Sequence, residues 1–108
     1  MTTLSSHVLD VERGMPAAGV RIGLYRGEER LAERVTNADG RIPDLAGGSV
    51  GGGTYRLIFD VAGYLAAQGR SAPFLQRVTI EFDVHDSDPH YHVPLLLSAY
   101  ACTSYRGS

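Results

Sequence analysis

Histidine can take and return a proton near neutral pH without help, and this chain has four. Two of them, His90 and His92, are separated by one residue in the run His90-Tyr91-His92-Val93-Pro94-Leu95-Leu96-Leu97. Alternate side chains of a strand share a face. His90, His92, Pro94 and Leu96 therefore share one face, and Tyr91, Val93, Leu95 and Leu97 share the other. The second set is an ordinary core face. The first mixes imidazoles with Pro and Leu, which is odd for a face left to solvent, and such a face is often covered by another chain. The segment Leu4 to Val11 repeats the theme, with His7, Leu9 and Val11 on one face and Leu4 and Val8 on the other. Taken singly, each histidine reads as a surface or satisfied structural residue. What singles them out is that two segments, at opposite ends of the chain, each place a histidine on a partly apolar face.

Other residues offer chemistry with less support. His90 and His92, with His7 as a third, match the open ligand set of a catalytic zinc. No cysteine or carboxylate motif accompanies them, and no metal is expected. Arg41 follows Asp39-Gly40 and by itself reads as a turn arginine in water. Asp86-Ser87-Asp88-Pro89 lacks the spacing of a calcium loop, and a turn explains it better. The glycine-rich run from Gly47 to Gly53 lacks the Lys-Ser/Thr pair of a phosphate loop. Cys102 is the single cysteine, so no disulfide forms within the chain, and it is expected as a small buried residue.

The elements that must position these residues are mostly strands. Thirteen glycines and five prolines break the chain into short apolar runs, the pattern of an all-β domain with many turns. Strands are expected at Leu4–Val11, Gly19–Arg26, Arg30–Thr36, Arg41–Leu45, Thr54–Val61, Val78–Val84, His90–Ser98 and Tyr100–Tyr105. Asn37-Ala38-Asp39-Gly40 is a turn, 46–53 a mobile glycine-rich loop, and Ala62–Gly69 the one short helix. About eight strands and one helix predict a two-sheet β-sandwich in a single domain spanning 1–108. A domain this small buries roughly two thirds of its unfolded surface. That is short of a deep private cavity, so a walled site would borrow from a neighbouring subunit.

The formal charge of −2 and the absence of a basic cluster argue against a nucleic-acid partner. No run reaches the ~18 apolar residues of a membrane span, so no membrane partner is expected. Met1 to Asp10 lacks the features of a signal peptide, and Arg106-Gly107-Ser108 is no peroxisomal address. A soluble cytoplasmic protein is expected.

Four motifs together resemble the transthyretin-like 5-hydroxyisourate hydrolases over essentially the whole chain. They are Leu4-Ser5-Ser6-His7-Val8-Leu9-Asp10, Thr36-Asn37-Ala38-Asp39-Gly40-Arg41, His90-Tyr91-His92-Val93-Pro94-Leu95-Leu96-Leu97-Ser98, and the terminal Tyr105-Arg106-Gly107-Ser108. The turn motif alone is weak, because many β-sandwiches carry one like it. The histidine strand combined with the terminal tetrapeptide is highly specific. The resemblance implies a transthyretin-like (prealbumin-like) sandwich and a homotetramer, a dimer of dimers with a central channel. It implies hydrolysis of 5-hydroxyisourate to 2-oxo-4-hydroxy-4-carboxy-5-ureidoimidazoline, in urate degradation, with no cofactor. It also implies a site lined by His7, Arg41, His92 and the C-terminal tail, with Ser108 in the chemistry and Tyr105 and Arg106 contacting substrate. One histidine would act as general base, either His92 with His7 assisting or the reverse, while the planar donors of Arg41 hold oxygens. Ala99 stands where the family usually has Pro, and Cys102 where it has an aromatic. Two rivals share the fold: a transthyretin-type ligand carrier, and a prealbumin-like structural sandwich. Neither explains the histidine strand together with His7, Arg41 and the tail.

Overall fold

Strand alternation is written directly into burial. Val20, Ile22 and Leu24, Tyr55, Leu57 and Phe59, Leu4, Ser6 and Val8, and Tyr91, Val93, Leu95 and Leu97 are all buried, at every second position of their segments. Fully burying one of the apolar side chains is worth about 1.5–3 kcal/mol. A computed structural model of residues 1–108 shows how these faces meet. One sheet contains β1 (Thr3–Asp10), β2 (Met15–Pro16), β5 (Arg41–Ile42), β8 (His90–Leu97) and β9 (Cys102–Ser104). The other runs in the order β4 (Glu29–Val35), β3 (Arg21–Arg26), β6 (Gly53–Asp60), β7 (Arg77–Val84). Twenty buried apolar residues fill the space between the sheets. This is the expected two-sheet sandwich with one short helix.

The helix, α1 (Val61–Ala67), starts where Asp60 accepts a hydrogen bond from the Gly63 amide at 2.9 Å. Its Val61, Tyr64 and Leu65 close one end of the core. Tyr64 and Arg70 are fastened to β1 through Asp10, which is fully buried. The Asp10 carboxylate accepts from Tyr64 at 2.8 Å, from Arg70 at 2.6 Å and from the amides of Glu12 and Arg13 at 3.1 Å. Burial pushes its pKa up, but the bonds from Arg70, Tyr64 and Arg13 outweigh that and hold it below the ordinary value. No helix is long and apolar enough to cross a membrane.

One pairing decides where the histidines go. β1 and β8 run parallel, in register from Thr3 opposite His90 to Asp10 opposite Leu97. The first and last long strands of the chain are thus neighbours, and their outward faces form one continuous surface. β5 pairs with the other edge of β1, Ser6 opposite Ile42 and His7 opposite Arg41. The expected strand at Arg41–Leu45 stops at Ile42, because Pro43 has no amide to continue the ladder. The last strand is also shorter than expected, since Ser98 and Ala101 bond to each other in a turn ahead of Cys102. The glycine-rich run is a loop, tied down by reciprocal amide bonds between Val50 and Thr2. At the two departures from the family pattern, the Ala99 amide donates to Glu12 at 2.7 Å, a bond proline could not make, and Cys102 packs half-buried against the core.

Candidate active site

Three strands abreast, β5, β1 and β8, bring Arg41, His7 and His92 to the outer face of one sheet. Arg41 depends on the turn that precedes it. The Asn37 side-chain oxygen accepts from the amides of Asp39 (2.9 Å) and Arg41 (3.0 Å), and the Asn37 amide donates to the Arg41 carbonyl at 3.0 Å. Gly40 completes the turn with φ of +72°, a region that side-chain-bearing residues avoid. Its carbonyl accepts from the Val8 amide at 2.7 Å, and a Cβ on Gly40 would collide with the Val8 carbonyl. Gly40→Ala is therefore expected to cost about 1–3 kcal/mol of stability, read as a lower denaturant midpoint. It should also lower activity, because the turn that sets Arg41 opposite His7 would be displaced. An unchanged midpoint would show that the turn has slack.

The same turn orients His7. Its Nε2 lies 3.0 Å from the carbonyl oxygen of Asp39. A carbonyl only accepts, so Nε2 carries the hydrogen, and the neutral ring keeps its lone pair on Nδ1. His92 is held differently. Its Nδ1 is 2.7 Å from Ser5 Oγ, and the same hydroxyl is 2.8 Å from Nε2 of His90. Nδ1 of His90 is in turn 2.6 Å from Thr3 Oγ1. Burial lowers the pKa of His92, the permanent charge of Arg41 lowers it further, and His7 and His90 add to the shift whenever they are protonated. At neutral pH His92 is an uncharged imidazole with a lone pair to offer. A base of that kind beside an arginine can deprotonate water while the guanidinium holds a developing oxyanion.

Thr3 and Ser5 were not among the expected site residues, and His90 was weighed only as a zinc ligand. The signal was present in the alternation of β1, where Thr3 and Ser5 share the parity of His7. It could not be read without knowing that β1 and β8 are parallel neighbours.

The tail reaches this face through one residue. The Gly107 amide donates to the His92 carbonyl at 2.7 Å, and a Cβ on Gly107 would come within 2.6 Å of the His92 ring. Ser108 is the next residue after that contact. Tyr105 and Arg106 do not join His7, Arg41 and His92. Arg106 lies over the Tyr91 ring at 4.0 Å, donates to the His90 carbonyl at 3.3 Å and pairs with Asp88 at 3.8 Å. Tyr105, 57% exposed, borders a groove of about 410 Å³ with Ile80, Phe82, Tyr91 and Val93, on the opposite side of β8. Both residues anchor the tail on the side of β8 away from the histidines of this chain.

Comparison with known proteins fits this arrangement. The HIUase/Transthyretin family profile matches residues 4–107. A 5-hydroxyisourate hydrolase of Deinococcus radiodurans is 48% identical, the match covering 97% of this chain and 95% of that protein. The structure of Klebsiella pneumoniae 5-hydroxyisourate hydrolase superposes with a TM-score of 0.92 at 39% identity, covering 100% of both chains. Sea bream transthyretin in complex with thyroxine superposes with a TM-score of 0.86 at 30% identity, covering 97% of this chain and 94% of that one. Whole-length similarity in both sequence and fold leads to one assignment: the chain belongs to the HIUase/Transthyretin family.

Proposed function

We propose that the protein is a hydrolase that opens the ring of 5-hydroxyisourate, giving 2-oxo-4-hydroxy-4-carboxy-5-ureidoimidazoline in urate degradation. The full-length relatives that carry this activity in their names support it. The observation that carries it is the trio His7, Arg41 and His92 on one sheet face, with His92 kept neutral. A carrier or a purely structural sandwich has no need of a deprotonated imidazole beside an arginine.

In this mechanism His92 is the general base. Its Nε2 lone pair takes a proton from water as the water oxygen bonds to a ring carbonyl carbon. The carbonyl π electrons move onto oxygen, where Arg41 donates hydrogen bonds. When the carbonyl re-forms, the C–N bond breaks, and the imidazolium of His92 returns the proton to the leaving nitrogen. His7 orients the substrate with its free Nδ1. Ser108 contributes through its hydroxyl. Proton transfer of this sort is worth about 10²–10⁴-fold, and a preorganised donor at the oxyanion about 3–4 kcal/mol.

The site lies on an open face, with Arg41 exposed and Leu9 and Leu96 half-buried beside it. A site that must limit water needs a cover, and a second copy of the chain is the occupant we assign. β7 and β9 are also unpaired edges, one in each sheet, available for pairing with another copy. Both features support the homotetramer, a dimer of dimers. Freshly generated 5-hydroxyisourate should lose its ultraviolet absorbance far faster with the protein than without. Light scattering on the same active sample should give four times the chain mass at micromolar concentration. Absence of turnover removes the hydrolase reading, and a monomer mass for active protein removes the tetramer.

A further inference from the structure

We propose that Ser5 and His90 are positioning residues that fix the tautomer of His92, leaving its lone pair on Nε2 for the incoming water. The proposal deepens the hydrolase reading and rests on it. It is carried by the four-membered chain Thr3–His90–Ser5–His92, whose three links measure 2.6, 2.8 and 2.7 Å.

Counting protons along the chain gives its direction. The Pro89 carbonyl can only accept, and it lies 3.4 Å from Thr3 Oγ1. We assign the single hydroxyl proton of Thr3 to that carbonyl, and with this assignment the Thr3 oxygen accepts from Nδ1–H of His90. A neutral His90 then has its lone pair on Nε2 and accepts the proton of Ser5. Ser5, having donated its only proton, accepts from Nδ1–H of His92. The tautomer of a histidine is set by the hydrogen bond its other nitrogen makes. The neutral His92 ring therefore carries hydrogen on Nδ1 and a free lone pair on Nε2. No other hydrogen bond claims Nε2 of His92, whereas both nitrogens of His90 are committed to the chain.

The placement suits positioning and not packing. Ser5 is buried with its hydroxyl between two imidazoles, and His90 is exposed, so neither fills the core. Their register explains the reach. Ser5 lies directly opposite His92 and Thr3 directly opposite His90, so these two hydroxyls of β1 meet rings of β8.

The test compares Ser5→Ala, His90→Ala and His90→Gln with the parent. Nitrogen-15 NMR reads the protonation of each His92 nitrogen in the protein without substrate, independently of any activity. In the parent, Nδ1 of neutral His92 should be protonated and Nε2 bare. Ser5→Ala and His90→Ala should shift the ring toward the mixed tautomers of an unconstrained histidine. They should lower kcat about 10–100-fold, as loss of an orienting hydrogen bond does in other sites, with KM changed far less. His90→Gln should recover much of both, because its amide oxygen can accept from Ser5. If Ser5→Ala lowers the thermal midpoint sharply, the exposed His90 variants decide. An unchanged His92 tautomer and parental kcat in His90→Ala would overturn the proposal. If the parent shows the Nε2–H tautomer, the direction of the chain is wrong. If the parent has the expected tautomer but no hydrolase activity, the hydrolase reading fails while the chain stands.

Discussion

His92→Ala is expected to lower turnover of 5-hydroxyisourate at least about a hundredfold, the lower end for a lost acid–base group. Arg41→Ala should do the same by removing the donors for the oxyanion. His7→Ala should fall in the same range if its Nδ1 holds the substrate in place. Folding should change little, since all three side chains lie on the outer face of the sheet and none belongs to the core between the sheets. Arg41→Lys should not restore activity, because a point charge cannot reproduce the planar fork. The pH dependence follows from the sign of the His92 shift. Burial and the neighbouring Arg41, His7 and His90 disfavour the imidazolium, so the base form persists below the ordinary histidine pKa of about 6.5. The acid limb of kcat/KM should therefore lie below that value. Arg41→Gln removes one of the opposing positive fields, so the His92 titration followed by NMR should move upward. A titration that stays put in Arg41→Gln would show that the guanidinium lies too far away to act on the ring. Near-parental turnover in either histidine variant would remove that residue from the mechanism.

How much of this was legible beforehand differs by level. Period-two alternation in Gly19–Arg26, Thr54–Val61 and His90–Ser98 revealed strands and core faces, because a buried sheet face needs apolar side chains at every second position. The odd mixture of imidazoles with Pro94 and Leu96 marked the functional face for the same reason. Pairing between distant strands was not legible. Nothing local in Leu4–Asp10 says that it runs parallel to His90–Leu97, and parallel neighbours are set by the crossover, not by a turn. That one pairing turns Ser5 and Thr3 from strand residues into partners of His92 and His90. The path of the tail was not legible either. Alternation does not continue past Ser104, so the turning of Arg106 onto Tyr91 could not be inferred from spacing. Gly107 stays with the histidines through its bond to the His92 carbonyl.

Removing Tyr105 to Ser108 is expected to reduce hydrolysis on the order of a hundredfold, because small misplacements in an assembled site are this costly. Terminal residues are normally dispensable unless tied down, and this tail is tied at two points. Arg106 stacks on the Tyr91 ring, and the Gly107 amide bonds the His92 carbonyl along the edge of β8. The first is an anchor worth about 0.5–1 kcal/mol, so truncation should lower the thermal midpoint by only a few degrees. The second seats Gly107 against the base. Truncation should therefore separate function from stability, with a large fall in turnover, a small fall in midpoint and no change in mass. Two further variants locate the effect. Arg106→Ala, which loosens the anchor and leaves Ser108 in place, should retain much more activity than the truncation. Gly107→Ala should be nearly as harmful as the truncation, because its Cβ would press on the His92 ring, now 2.6 Å from where that carbon would sit. Parental turnover by the truncated protein would remove the tail from the mechanism. The conjunction of full activity in Gly107→Ala with intact folding would show that His92 has room to move, and that its position is set from β1 alone.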